Sequence, residues 1–274
     1  MQSPFLQKVI RWIVPLAALT VFAAWMYIAP PGFFGKADAI GYAVCHRIGE
    51  RSFHIGEMQL PLCARCSGTF SAAAITMLFL AVVSGKRSGM PAKKFYIPVL
   101  LFFLAFGLDG ANSYLYLLKQ TTGALGQIPN LYIPNNTLRI FTGSGMGMTM
   151  AAFLVPAFNQ TVWRDLDAEP ALAHWKHFLT LFGILLVADL LSLTESPIAL
   201  YPLAIISTLG VLGLLSLIFG IIWLMLMRQD NTFTHARELW LMSLAGLTLA
   251  LLMVLSIDLL RYNLTGTWGG FPLG

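Results

Sequence analysis

Residues 199–227 read ALYPLAIISTLGVLGLLSLIFGIIWLMLM, a stretch without a single charged side chain. It exceeds the roughly 20 apolar residues that a helix needs to cross the hydrocarbon of a bilayer. Lipid offers the backbone no hydrogen-bond partners, so a run of this kind closes its own N–H and C=O groups as an α-helix. Six further runs have spanning character: about 9–29, 68–85, 95–118, 138–158, 175–194 and 239–260. The second is short and starts inside the polar segment that precedes it. The pattern predicts an all-α integral membrane protein, a bundle of about seven transmembrane helices forming a single domain over residues 1–274.

Composition agrees. The chain is 57% hydrophobic and 11% charged, with a mean hydropathy of +0.74, whereas soluble domains carry about a quarter charged residues. The net charge of +5 is spread over loops. It points to membrane topology and anionic lipid headgroups, not to nucleic acid. Lys8 and Arg11 precede the first run in the manner of a signal peptide, but the run is long and no A-x-A-type site follows. It reads as a retained first helix.

The basic residues give an orientation. With the N-terminus in the cytoplasm, the inner side holds Lys8, Arg11, Lys86, Arg87, Lys93, Lys94, Arg164, Lys176, Arg228 and Arg237. The outer side holds Lys36, Arg47, Arg51, Arg65, Lys119, Arg139 and Arg261. Setting aside Arg47, Arg51, Arg65 and Arg139, which belong to the motifs described next, the inner side dominates, as cytoplasmic loops do. The chain is expected in the plasma (inner) membrane with segment 31–67 on the periplasmic or external side. Asp109, Asp189 and Asp258 then fall in the outer parts of odd-numbered spans, with Arg139 and Arg261 at the same level. Charges inside a membrane face partners or a wet cavity, so one outward-open polar cavity, capped by segment 31–67, is expected.

All three cysteines lie in that segment: Cys45-His46-Arg47, then Arg51-Ser52-Phe53, then Gln59-Leu60-Pro61-Leu62-Cys63-Ala64-Arg65-Cys66-Ser67-Gly68. Cysteine used as core filler would also occur in the helices. Cysteine and neutral histidine are the ligands zinc prefers, and C-x2-C lets two thiolates grip one ion. The candidate metal ligands are Cys45, His46, Cys63 and Cys66, with His54 able to replace His46 and zinc the expected cofactor. The alternative chemistry, second to the metal, is a Cys63–Cys66 disulfide or a reactive thiol at the start of the second span, where the helix dipole favours thiolate.

Arg47, Arg51, Arg65 and Arg139 form a second constellation. Guanidinium forks match carboxylate and phosphate in two-point fashion, so an anionic substrate is expected, with internal pairing to Asp109, Asp189, Asp258, Glu50 and Glu57 as the alternative. Asn135 or Asn136 caps the fourth span, and an arginine one turn in makes its start an anion site. Arg47, Arg51, Asn136 and Arg139 are the candidate substrate-binding residues. Asp109, Arg139, Arg65 and Asp189 are the candidate catalytic ones. The run Leu108-Asp109-Gly110-Ala111-Asn112-Ser113 reads as a functional interruption of the third span. Gly143 and Gly147 read as a G-x3-G packing pair. His174 and His177 lack a third ligand, and the tryptophans mostly mark span ends.

The long cysteine motif, with Asp109-Gly110 and Asn136-x2-Arg139-x2-Thr142-Gly143, resembles the uncharacterised multi-spanning prokaryotic membrane proteins grouped as domain-of-unknown-function family 2085, over about residues 38–150. The resemblance implies a prokaryotic membrane setting and no activity. The residues themselves suggest a membrane-embedded enzyme acting on an anionic or lipid-linked substrate. The alternatives are a thiol–disulfide oxidoreductase using Cys63 and Cys66, or a non-catalytic transporter or subunit of a larger membrane complex.

Overall fold

The computed structural model describes residues 4–123 and 125–270. Eight helices follow in order: α1 (Pro4–Ile28), α2 (Gly32–Val44), α3 (Ala64–Ser84), α4 (Tyr96–Thr122), α5 (Asn136–Val162), α6 (Trp175–Ser192), α7 (Pro197–Leu226) and α8 (Trp240–Thr265). Seven of them, all but α2, are long and apolar enough to cross a membrane. The thirteen residues of α2 make about 20 Å of helix, too short for a span. Short pairings complete the chain. β1 (His54–Ile55) and β2 (Met58–Gln59) form an antiparallel hairpin, and β3 (Arg87–Gly89) runs parallel to β4 (Asp167–Pro170).

The centre of the bundle is the α3–α5 pair, with α7 and α8 on one side, α4 and α6 on the other, and α1 leaning on α8. The G-x3-G pair explains the closeness of the two central helices. A Cβ on Gly143 would stand 2.2 Å from the backbone oxygen of Arg65, and one on Gly147 only 2.0 Å from that of Thr69. Only glycine allows the backbones this near.

Segment 31–67 is an ordered cap and not an open loop. It contains α2, a 3-10 turn over Gly49–Arg51 and the β1–β2 hairpin, whose turn uses Gly56 at φ +59°. It lies at the end of the bundle where α3 and α5 begin. The outer surface is apolar, with Leu16, Val82, Leu101 and Ile198 exposed. That is the surface a lipid solvent requires and water would not tolerate on such a scale.

α4 departs from the sequence reading. It is continuous from Tyr96 to Thr122, with no interruption at Asp109-Gly110. Its buried residues are Asp109, Asn112 and Ser113, which share one face by their spacing of three and four. The polar side chains turn inward, while Leu100, Leu101, Leu104 and Leu108 are exposed.

Candidate functional site

Three thiols meet beneath the cap. Cys45 ends α2, Cys63 is the N-cap of α3, and Cys66 lies in its first turn. Their sulfurs lie within 4.8 Å of one another, and none is in a disulfide. The N–H groups of Arg47 and Cys63 donate to Cys45 Sγ at 3.4 and 3.3 Å. Hydrogen bonds from the Cys63 and Cys66 thiols, helped by these two N–H groups and opposed by burial, hold Cys45 well below the usual thiol range. The donor set fits a thiophilic metal. Zinc–sulfur bonds of about 2.3 Å in a tetrahedron place sulfurs about 3.8 Å apart, within reach of these three side chains by rotation.

His46 is outside this cluster. Cys45 has extended backbone, φ −134° and ψ 146°, and in extended chain successive side chains point to opposite faces. Cys45 faces the thiols. His46 lines a separate cavity, with its Nδ1 accepting the Ile48 N–H at 3.0 Å. Among the described residues, the thiol cluster includes no histidine and no carboxylate.

The cavity that His46 lines has a volume of about 340 Å³ and is walled by Arg51, Arg65, Gly110, Ser113 and Leu117 among others. Arg65 pairs with Asp109, its Nε donating to Oδ2 at 3.0 Å and its Nη2 to the same oxygen, to the Asp109 carbonyl at 3.1 Å and to Ser113 Oγ at 3.0 Å. Arg51 Nη2 donates to the Ser113 carbonyl at 3.4 Å. Burial and the neighbouring Arg65 push Arg51 below its usual range, and Cys63 and Glu50 pull the other way. Arg139 is 5% exposed and donates to Asn136 Oδ1 at 2.9 Å. Its charged neighbours are Arg51, Arg65, Asp109 and Cys63. Arg65 and Arg139 therefore flank the Asp109 carboxylate, and Arg51 adjoins both guanidiniums with Glu50 beside it.

Asn135, not Asn136, caps α5, accepting the Leu138 N–H at 2.9 Å. Asn136 instead ties the cap to α5, its Nδ2 donating to the Glu50 and Ser52 carbonyls at 3.5 Å each.

Two residues that sequence reasoning missed complete the Asp109 shell. Tyr132 donates from its hydroxyl to Oδ1 at 2.7 Å, and Thr142 donates to Oδ2 at 3.3 Å. Burial and the bond to Asp109 push Tyr132 up to about 12, so it remains a donor at neutral pH. The loop carrying Tyr132 is pinned by Asn112, whose Nδ2 donates to the Tyr132 carbonyl and whose Oδ1 accepts the Leu131 N–H. The polar tail of α4 signals this face once the helix is drawn as continuous.

Other candidates lie elsewhere. Arg47, in the left-handed region at φ +53°, pairs with Asp38 at 2.8 Å and donates to the Trp268 carbonyl. It staples the C-terminal segment to the cap. Asp189 accepts from Ser144 Oγ at 2.7 Å in an apolar cleft of about 250 Å³ between α4, α5 and α6. Asp258, 0% exposed, sits on α8, whose Arg261 donates to the Tyr42 and Cys45 carbonyls. The polar groups thus occupy several neighbouring sites in place of the single cavity expected. A larger apolar cleft, about 750 Å³, lies near Lys86 and Trp163 toward the opposite end and includes none of these residues.

Fold and composition define a multi-pass membrane protein with a buried cluster of three thiols. Residues 45–153 match the family model described as "Predicted membrane protein (DUF2085)", which supports the resemblance carried by the cysteine motif. The matched stretch contains the thiol cluster, Arg51, Arg65, Asp109 and Arg139. The uncharacterized protein MJ1492 of Methanocaldococcus jannaschii is 22% identical over 165 residues, covering 56% of this chain and 96% of that protein. No solved structure matches the chain.

Proposed function

We propose that the chain is a membrane-embedded enzyme in which Cys45, Cys63 and Cys66 hold zinc beside a cavity that binds an anionic substrate. The carrying observation is the position of Cys63. Its sulfur belongs to the thiol cluster, and it lies within electrostatic reach of both Arg51 and Arg139. Zinc with three protein ligands keeps one position open for water or substrate, where it acts as a Lewis acid. Arg51, Arg65 and Arg139 outnumber Asp109 and the exposed Glu50 beside Arg51. Buried charge of one sign is costly without a counter-ion, and an anion supplies it. Asp109 accepts from Arg65, Tyr132 and Thr142, so its role in this reading is to aim those donors, not to take a proton. We place the site on the external face of the plasma membrane, on the distribution of basic residues.

Elemental analysis of protein purified without chelator, with thiol counting, tests the metal. About one zinc per chain is expected, lost in Cys63→Ser together with thermal stability. Metal-free protein with a Cys63–Cys66 disulfide would transfer the site to thiol–disulfide exchange. Titration with inorganic phosphate tests the anion cavity, and Arg139→Gln, next to the lining Arg51 and Arg65, should weaken the binding.

A further inference from the structure

The anion cavity and the apolar cleft stand end to end along α4. Phe102 and Ala105 line the cleft. Gly110, Ser113 and Leu117 line the cavity. Asp109, one turn beyond Ala105, lies between them. Thr142 bridges the two on α5, since it lines the cleft and donates to Asp109. From Thr142 the cleft runs along α5 to Met148, about 9 Å at the helical rise per residue. That direction leads from the capped end of the bundle toward its middle, into the depth of one leaflet. The cleft is polar only toward its upper end, where Ser144 holds Asp189. Below that, Phe102, Met148 and Phe182 make it apolar. Its lip reaches the outer surface, because Phe182 and Leu186 are 39% and 38% exposed. A lipid can therefore enter from the side.

We infer that the anion is the headgroup of a lipid, with Arg51, Arg65 and Arg139 taking the head and the α4–α5–α6 cleft taking one hydrocarbon chain. The inference rests on the reading of the arginine cavity as an anion site and names its substrate class. An apolar slot and a cationic chamber set end to end, with the Asp109 network between them, suit a molecule with both characters. Neither a free phosphate nor a soluble anion uses the slot. Among the described residues, no arginine or lysine lines the slot, so the head's charge belongs at the arginines of the cavity.

The test uses the full chain in detergent with three probes: inorganic phosphate, dioleoyl phosphatidate and zwitterionic dioleoyl phosphatidylcholine. Wild type should bind phosphatidate more tightly than phosphate and should not bind the zwitterion specifically. Ala105→Trp and, from the opposite wall, Leu185→Trp fill the slot. Each should weaken phosphatidate by about tenfold, the scale of losing a few buried methylenes, and leave inorganic phosphate unchanged. Arg139→Gln should weaken both.

Phosphatidate carrying a photoactivatable acyl chain supplies a measurement on unaltered protein. Crosslinks should fall on Phe102, Met148 and Phe182. If the slot variants leave phosphatidate binding unchanged, or crosslinks scatter over outward residues such as Leu78 and Val82, the lipid inference fails while the anion site stands. If Arg139→Gln changes neither anion, the anion site itself fails, and the inference with it.

Discussion

Three side chains from three different parts of the chain converge on Asp109: Arg65 from α3, Tyr132 from the 123–135 loop and Thr142 from α5. Glu50 and Cys63 lie near Arg51, and the Asp109 carboxylate is the buried negative charge beside Arg65 and Arg139. Replacing it by the isosteric amide leaves buried guanidiniums uncompensated. Asp109→Asn is expected to destabilise the protein by about 3 kcal/mol, and Tyr132→Phe, which removes one hydrogen bond, by about 1 kcal/mol. Thermal or denaturant unfolding in detergent checks the order. A larger loss from Tyr132→Phe would mean the carboxylate is not the hub. The same scale shows what the sequence could reveal. The thiols were legible because cysteine occurs nowhere else in the chain. The role of His46 was not, because one extended residue at Cys45 turns neighbouring side chains to opposite faces, and no spacing rule reports a single backbone dihedral. Arg47 was misgrouped for a related reason: its partner, Asp38, lies on α2, a short helix that hydropathy does not reveal.

At the level of elements, the seven spans follow from hydropathy alone, because lipid leaves a long apolar run little choice. The apparent interruption of α4 misread Gly110. Glycine inside a helix costs only about 1 kcal/mol relative to alanine, and the neighbouring polar residues mark a buried face, not a break. The glycines of α5 do a different job. Gly147→Ala would drive a methyl into the Thr69 carbonyl, so α3 and α5 must separate. A loss of about 2 kcal/mol is expected, as for an overpacked core, with weaker zinc retention because α3 carries Cys63 and Cys66. Gly107→Ala, which meets nothing within 4 Å, should cause no loss and raise stability by up to about 1 kcal/mol. Equal effects of the two substitutions on melting temperature would show that the helices are not held at that contact.

For the whole molecule, the open question of sidedness has a direct measurement. Glu57, in the cap hairpin, and Asp165, at the opposite end, are both exposed, while the native thiols are buried or partly buried. An impermeant maleimide should label Glu57→Cys on intact cells and Asp165→Cys only after lysis. The reverse pattern would turn the site toward the cytoplasm and overturn the external reading. The clustering of site and cap at one end was legible from charge placement. The division of its polar groups among several sites was not, because helix rotation and neighbour choice in a bundle are set by packing that hydropathy does not encode.

The inward polar face of α4 bears on how the chain is made. On its way into lipid, this helix presents Asp109 at its fourteenth residue of twenty-seven, where a lone aspartate disfavours insertion by about 3 kcal/mol. Asn112 and Ser113 add to the penalty. Arg65, at the start of the preceding helix, is the first partner synthesised that can neutralise that charge, and the two helices are joined by only eleven residues, 85–95. Tyr132 and Thr142 arrive later, with the following loop and α5. The residues that build the site are thus also the ones that make α4 acceptable to the bilayer, so membrane entry favours an early pairing of Arg65 with Asp109, before α5 arrives to pack on α4.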